Sequence, residues 1–404
     1  MFRELAAAAI FLLAYAGVAL GRFPGLRIDR AGIALTGGVA MIAIGAISPA
    51  EAYRAIDLDT LALLLGMMIV VGHLRLSGFF RLGASWALEH AHSQPVLLVA
   101  VALTSGVLSA FLVNDAVCLV MAPLVIETTR ALKRDPVPYL LATAMASNVG
   151  SAATITGNPQ NMIVGAVSRI PYTTFAAALA PAAAFGVLLV VLLVAAGSAS
   201  EFYPLARLGA GGARARVNKP QMVKALLVTG LVIGLFFFGA PVGEAAMIGG
   251  ALLLVTRSIK AQKVYREIDG SLLMLFAGLF VVVAGVEKTL LSSDVIAAAR
   301  ALHLENVWIL TAIVAALSNV ISNVPAVLAV KPFLQGLADP ERAWLVVAMS
   351  STFAGNLTLV GSVANLIVAE KARQEGIELS FWRYARIGVP LTLLTLALGA
   401  WRLS

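Results

Sequence analysis

Two stretches set amide and carboxylate groups among apolar neighbours: Val113-Asn114-Asp115 in "FLVNDAV" and Ser322-Asn323-Val324-Pro325 in "SNVISNVPA". Two others, "TITGNPQN" from Thr154 to Asn161 and "NLTLVGSVAN" from Asn356 to Asn365, have turn composition between long hydrophobic segments. Asn side chains both donate and accept hydrogen bonds. Asn114, Asn158, Asn161, Asn323, Asn356 and Asn365, with Thr154 and Thr358, could therefore hold a small hydroxylated or anionic solute. Asp115 is the sharpest single group, because a carboxylate at membrane depth is costly and marks function. It could carry a proton or ligate a cation. Cys118 lies about one helical turn beyond it and could meet a soft metalloid, although a free cysteine is equally a small buried hydrophobe. No Ser/His pair, zinc-binding helix or pair of intramembrane aspartates accompanies these groups, which argues against an enzyme. No cofactor or metal site is implied.

Groups of this kind need a scaffold, and composition names its class. The chain has 404 residues, 60% of them hydrophobic and only 12% charged, with mean hydropathy +0.93. Soluble domains carry about 25% charged residues. Apolar runs such as Leu5–Leu20, Leu58–Val71, Val96–Val113, Phe175–Ala196, Val223–Phe238 and Gly270–Val286 recur from end to end. The class is an all-α polytopic membrane protein, whose first partner is the lipid bilayer. The net charge of +8 falls in short loops, so it speaks of orientation rather than nucleic acid. One cysteine leaves no intrachain disulfide, and the four histidines, His90 and His92 among them, lack metal-ligand spacing.

Lys and Arg concentrate in alternate loops. Arg22, Arg27 and Arg30 mark the first as cytoplasmic, and Arg75 with Arg81, then Arg130 with Lys133 and Arg134, mark further inner loops. Arg207, Arg214, Arg216 and Lys219 fall in a Gly- and Arg-rich cytoplasmic linker, 201–221. Arg257, Lys260, Lys263 and Arg266, and later Lys371, Arg373, Arg383 and Arg386, mark the last inner loops. Segments 95–128 and 306–337 each start and finish on one side. The apolar arm Ala116–Ile126 would rise only about 17 Å as a helix, against a core of roughly 30 Å, which favours re-entrant hairpins. Lys331 is expected to snorkel outward, and Glu287 and Lys288 to sit at the outer surface.

Self-comparison divides the chain in two. "IDLDTLALLLGMMIVV" from Ile56 parallels "IDGSLLMLFAGLFVVV" from Ile268, pairing Asp57 with Asp269 and Gly66 with Gly278. The hairpin stretches pair Asn114 with Asn323 and Asp115 with Val324. "AMASNVGSAATITGNPQNMIV" from Ala144 parallels "AMSSTFAGNLTLVGSVANLIV" from Ala348, pairing Thr154 with Thr358, Gly157 with Gly361 and Asn161 with Asn365. With the loop charges, the halves have opposite orientation. Two inverted-topology repeats, 1–200 and 222–404, each carry a hairpin and a discontinuous helix, at about 138–168 and 342–369. Such repeats characterise secondary transporters whose site lies at the repeat interface near the midplane. The retained first helix has its counterpart in Val223–Phe238.

On "FLVNDAV", "GNPQNMIVG", "SNVISNVPA" and "GSVANLIV" the chain resembles the ion transporter superfamily. The nearest branch holds arsenite/antimonite efflux pumps, sodium/proton antiporters and citrate-transporter-like permeases. The resemblance implies a scaffold part, a transport part with two opposed hairpins, alternating access and a homodimer in the inner (plasma) membrane. The superfamily's divalent-anion symporters carry Ser-Asn-Thr at both tips; Val113-Asn114-Asp115 and Ser322-Asn323-Val324 depart from it. Arsenite at neutral pH is chiefly an uncharged triol that amides can bind without a cation, and the expected cavity has no secure Arg or Lys. Efflux of arsenite or antimonite driven by protons through Asp115 is the resulting expectation. A proton- or sodium-coupled carrier of anions or di- and tricarboxylates, and a sodium/proton antiporter, remain alternatives.

Overall fold

The computed structural model describes residues 2–21, 26–83, 92–203, 218–255, 259–290, 302–334 and 336–404. Arg22, His90, Arg207, Arg214, Arg216 and Arg257 lie outside the described residues, as does most of the linker.

Apolar runs become helices wherever capping side chains start them. In the first half these are α1 (Phe2–Leu20), α2 (Arg30–Ala43), α3 (Pro49–Ala55) and α4 (Leu58–Ser77). They are followed by α5 (Gln94–Phe111), α6 (Asn114–Ala131), α7 (Pro136–Ser151), α8 (Pro159–Ser168), α9 (Tyr172–Gly197) and α10 (Ala199–Phe202). The second half runs α11 (Lys219–Phe237), α12 (Val242–Leu254), α13 (Ala261–Tyr265), α14 (Gly270–Leu290) and α15 (Val307–Ile321). It ends with α16 (Asn323–Leu334), α17 (Pro340–Ala354), α18 (Val363–Gln374) and α19 (Phe381–Leu403). Seven of the described helices are long and apolar enough to cross a bilayer. Exposed Leu5, Leu12 and Leu13 on α1 and Leu227 and Leu231 on α11 suit lipid contact.

The helices sort into two bodies. In one, α2 packs along α14 and α4 along α12, with α1 and α11 beside them. In the other, α5 packs on α7, α15 on α17, α6 on α18, and α9 on α19. The first body is held by close approach of backbones. A Cβ on Gly66 of α4 would run into the Ala246 carbonyl of α12, and one on Gly278 of α14 into Ala34 of α2. The clashes are reciprocal between the halves. So are the helix starts: Asp57 Oδ1 accepts from Thr60 N at 2.7 Å, and Asp269 Oδ1 from Leu272 N at 3.0 Å.

One length differs from expectation. The second arm of the first hairpin continues past Ile126 to Ala131, 18 residues in all, or about 27 Å. Pro123 does not stop it, and Thr129 Oγ1 donates back to Val125 O at 2.8 Å in the last turns. Its partner α16 has 12 residues. Lys331 does not simply reach outward: its Nζ lies 3.6 Å from Glu287 Oε1 on α14. Next to it Lys288 Nζ donates to Glu51 of α3 at 2.7 Å. That ammonium, with the Ser48 cap, holds the Glu51 carboxyl down to about 2.

The packing makes a stability prediction. Gly66→Ala and Gly278→Ala each force backbones apart, a strain of about 1–3 kcal/mol. Both should lower the thermal unfolding midpoint in detergent. Gly230→Ala, where a Cβ meets nothing within 4 Å, should not.

Candidate functional site

The site is built where helices stop. α7 ends at Ser151, a 3-10 turn runs over Ile155–Gly157, and α8 starts at Pro159. α17 ends at Ala354 and α18 starts at Val363. Each break is closed by one asparagine. Asn161 Nδ2 donates to Ser151 O at 3.1 Å and Thr154 O at 3.0 Å. Asn365 Nδ2 donates to Gly355 O at 2.8 Å and Thr358 O at 3.2 Å. Gly157 and Gly361 let the two turns fold back, since a Cβ there would strike Ser151 O and Gly355 O respectively.

The breaks are also tied to each other. Asn148 Nδ2 donates to Asn356 Oδ1 at 3.0 Å and Asn365 Oδ1 at 2.9 Å. Its Oδ1 accepts from Asn114 Nδ2 at 3.1 Å and Ser362 Oγ at 2.9 Å. Every donor and acceptor of that amide is used. Thr352, the counterpart of Asn148, donates to Asn161 Oδ1 at 3.3 Å and accepts from Asn158 Nδ2 at 3.1 Å. Gln160 Nε2 reaches the same hydroxyl at 3.4 Å. Thr154 Oγ1 donates to Ala110 O on the first hairpin arm. Asn148 is one residue that sequence reading missed, and its only signal was an amide inside the matched "AMASN" stretch.

Beside this network lies a cavity of about 530 Å³, mouth included, lined by both hairpin tips and the starts of α8 and α18. Asn114, Asp115, Ser322 and Asn323 reach it from the tips, Gln160 and Ser362 from the breaks. Asn158, Asn161, Asn356 and Asn365 are wholly buried in the network behind it, and Thr358 contributes its carbonyl to the Asn365 clasp. Cys118 is fully buried, away from the lining. The Asp115 backbone N–H donates to Asn114 Oδ1 at 2.9 Å, while its carboxylate makes no hydrogen bond or ion pair among the described residues. Asn323 Oδ1 likewise has no partner there. Among the described residues no group of three His, Cys, Asp or Glu gathers for a metal ion.

The lining corrects one expectation. Arg30, read as a loop residue, begins α2 and stands on the cavity wall with Val18, Leu272 and Leu275. Its guanidinium rests near Gly21, which has φ +73°, and it has no carboxylate partner among the described residues. The cavity therefore does hold a cation. The reason is that the start of α2 lies back beside Gly21 and Val18 at the end of α1.

The two ends of the molecule differ. Leu272 and Leu275 near the start of α14 are partly exposed to the cavity, whereas Thr60 and Leu63 at the paired places on α4 have 0% exposure. α4 packs on α8, and α14 on α16; the paired combinations, α14 with α18 and α4 with α6, make no comparable contact. The body of α2 and α14 thus stands off the hairpins at the Arg30 end and closes on them at the other.

Residues 15–354 match the family described as "Citrate transporter" (CitMHS). The chain belongs to that family. It is 31% identical to the silicon efflux transporter LSI3 of Oryza sativa subsp. japonica, over 93% of this chain and 92% of that protein. It is 29% identical to the uncharacterized transporter Rv2684 of Mycobacterium tuberculosis, over 98% and 97% of the two chains. A Dictyostelium discoideum transporter designated arsB is 26% identical over 93% and 87%. In fold the chain is similar to the crystal structure of the Alcanivorax borkumensis YdaH transporter, with TM-score 0.61 and 15% identity over 99% and 97% of the chains. It is a multi-pass membrane protein of the CitMHS/ArsB branch of the ion transporter superfamily, consistent with the plasma membrane. It is a secondary transporter of small ions or solutes, not an enzyme.

The network predicts a hierarchy of stability. Asn148→Ala leaves four buried partners short of a bond, and each unpaired buried group costs about 1–3 kcal/mol. Its unfolding midpoint in detergent should drop well below that of Asn323→Ala, which strips an oxygen that has no partner. Equal midpoints would remove Asn148 from the centre of the network.

Proposed function

We propose that the protein carries a small anion, a carboxylate or oxyanion, by alternating access, coupled to protons or sodium through Asp115. The observation that carries this is Arg30 at the cavity wall, without an acidic partner among the described residues. A guanidinium set on a polar wall with no carboxylate partner among the described residues suits a carboxylate or oxyanion, which it can meet with two parallel N–H donors. The family's description as citrate transporters supports the same class. Asp115 shares the cavity on the opposite body, so protonation there changes the charge that accompanies the anion.

In this reading the two halves, 1–200 and 222–404, are inverted repeats, and α5–α6 and α15–α16 are re-entrant hairpins that meet tip to tip. The reciprocal clasps of Asn161 and Asn365 and the reciprocal clashes at Gly66 and Gly278 support the pairing. The Arg30 end carries Arg27 before α2 and Lys260, Lys263 and Arg266 before α14, so loop charge assigns it to the cytoplasm. The cavity is then inward-facing. The body of α1–α4 and α11–α14 serves as scaffold, against which the hairpin body moves.

A second reading has an observation of its own. The tips and breaks offer a ring of amides and hydroxyls fit for an uncharged triol or tetrol, and one relative is named for silicon efflux. Efflux of arsenite, antimonite or silicic acid would use those groups and leave Arg30 idle.

Reconstituted liposomes separate the two. With a proton or sodium gradient imposed, citrate, succinate and sulfate are compared with arsenite and silicic acid. Anion uptake is expected, with Asp115→Asn losing gradient-driven accumulation while retaining exchange of labelled for unlabelled anion. Transport of the uncharged acids alone, unchanged by Arg30→Gln, would overturn the anion reading.

A further inference from the structure

The cavity's cation has no twin. α2 and α12 occupy paired places: Ala34 meets Gly278 as Ala246 meets Gly66. The register that pairs them sets Arg30, first residue of α2, against Val242, first residue of α12. The same register sets Leu272 and Leu275 against Thr60 and Leu63. The groups at the centre are shared by both directions of access, because the tips and breaks map onto one another. What differs is the wall contributed by the scaffold.

At the Arg30 end the scaffold offers a guanidinium with no carboxylate partner among the described residues. Asp29 is close in sequence, but its Oδ1 is engaged as the cap of α2, accepting from Gly32 N at 2.8 Å. At the opposite end the scaffold offers Val242, half-buried, with no cation in its place. Glu244 lies on the first turn of α12, and a Cβ on Gly243 would touch the Asp59 carbonyl, which brings the start of α4 alongside. The counterparts of Asp59 and Glu244 are Ser271 and Gly32. The Arg30 mouth thus sets a guanidinium on the cavity wall, beside Asp29 and Asp269 as the caps of α2 and α14; at the paired place the other mouth has Val242, with Asp57, Asp59 and Glu244 at its helix starts.

We infer that Arg30 makes anion binding sided: the carrier holds its anion tightly when open at the Arg30 end and loosely when open at the Val242 end. The idea rests on the anion reading above. When the hairpin body moves against the scaffold, the shared centre leaves Arg30 of α2 and meets Val242 of α12 instead. The anion loses its charge-assisted partner during the crossing itself. With the Arg30 end cytoplasmic, the carrier loads inside and releases outside, the behaviour of an exporter. The coupling gradient still sets the net direction, so the sidedness appears as unequal KM with matching inequality in Vmax.

The test measures anion transport in right-side-out and inside-out vesicles made from cells expressing the full chain. For the wild type, KM at the cytoplasmic face should lie below KM at the outer face. Arg30→Gln should raise the cytoplasmic-face KM about tenfold or more, the equivalent of about 1.4 kcal/mol, and leave the outer-face KM within about twofold. Arg30→Lys should recover part of the loss. Val242→Arg should lower the outer-face KM; if that variant fails to insert, the Arg30→Gln asymmetry decides alone. An Arg30→Gln effect of equal size at both faces, or no effect at either, overturns the inference while anion transport stands. No anion transport by the wild type from either face overturns the reading beneath it.

Discussion

A helix that stops at membrane depth leaves its last carbonyls without water to accept from, and each unmet group there costs several kcal/mol. This chain breaks two helices in that position and meets the cost twice in the same way. Asn161 and Asn365 each turn both amide hydrogens onto a carbonyl at the helix end and one in the turn beyond it. An amide is the smallest side chain that can do so, since it supplies two donors in one plane and keeps an acceptor. The remaining acceptors, the Oδ1 atoms, are then free to be bound by the opposite half, from Thr352 and Asn148. The clasp that closes each break is therefore also the point at which the halves are joined. A cavity can exist beside it because the backbone there is already satisfied and rigid.

The joint is not equal on its two sides. Asn148 makes four bonds, reaching one hairpin tip and three groups of the second break. Thr352, with a single hydroxyl, reaches only the first break. Asn114 is accordingly tied back into the network, whereas its counterpart Asn323 keeps a free oxygen in the cavity. One tip is held and the other is available. A solute or ion that needs an amide oxygen would find it on the second tip, across from the unpaired carboxylate of Asp115.

Much of this was legible in the sequence, and the parts that were not have a common cause. The breaks were legible because Gly-Asn-Pro and Leu-Val-Gly-Ser are turn residues in a lipid-length apolar run. The paired halves were legible because the constraint at Gly66 and Gly278 is steric and admits no substitute. The catalogue of candidate asparagines was legible as a set, but its division was not: Asn114 and Asn323 line the cavity while Asn158, Asn161, Asn356 and Asn365 lie behind it. Asn148 was hidden because an asparagine within a helix reads as a packing residue until its partners, three of the four more than 200 positions away, are known. Arg30 was hidden by a sound rule applied at one residue too many. Loop arginines report orientation, yet the first residue of a helix beside a cavity faces inward as readily as a loop residue faces water.

A repeated scaffold with unrepeated chemistry follows from what each part must do. Packing and backbone satisfaction pose the same problem in both halves, so Gly66 and Gly278, Asn161 and Asn365, and Asp57 and Asp269 answer it alike. Binding and coupling pose a problem for the cavity as a whole, where a second copy of each group would be harmful. In the anion reading, two carboxylates at the tips would repel the substrate, and two arginines would hold it at both mouths. Asp115 faces Val324, Gln160 faces Ala364, and Arg30 faces Val242 across the repeat. These unmatched polar positions are gathered around one cavity, and there the symmetric frame is broken.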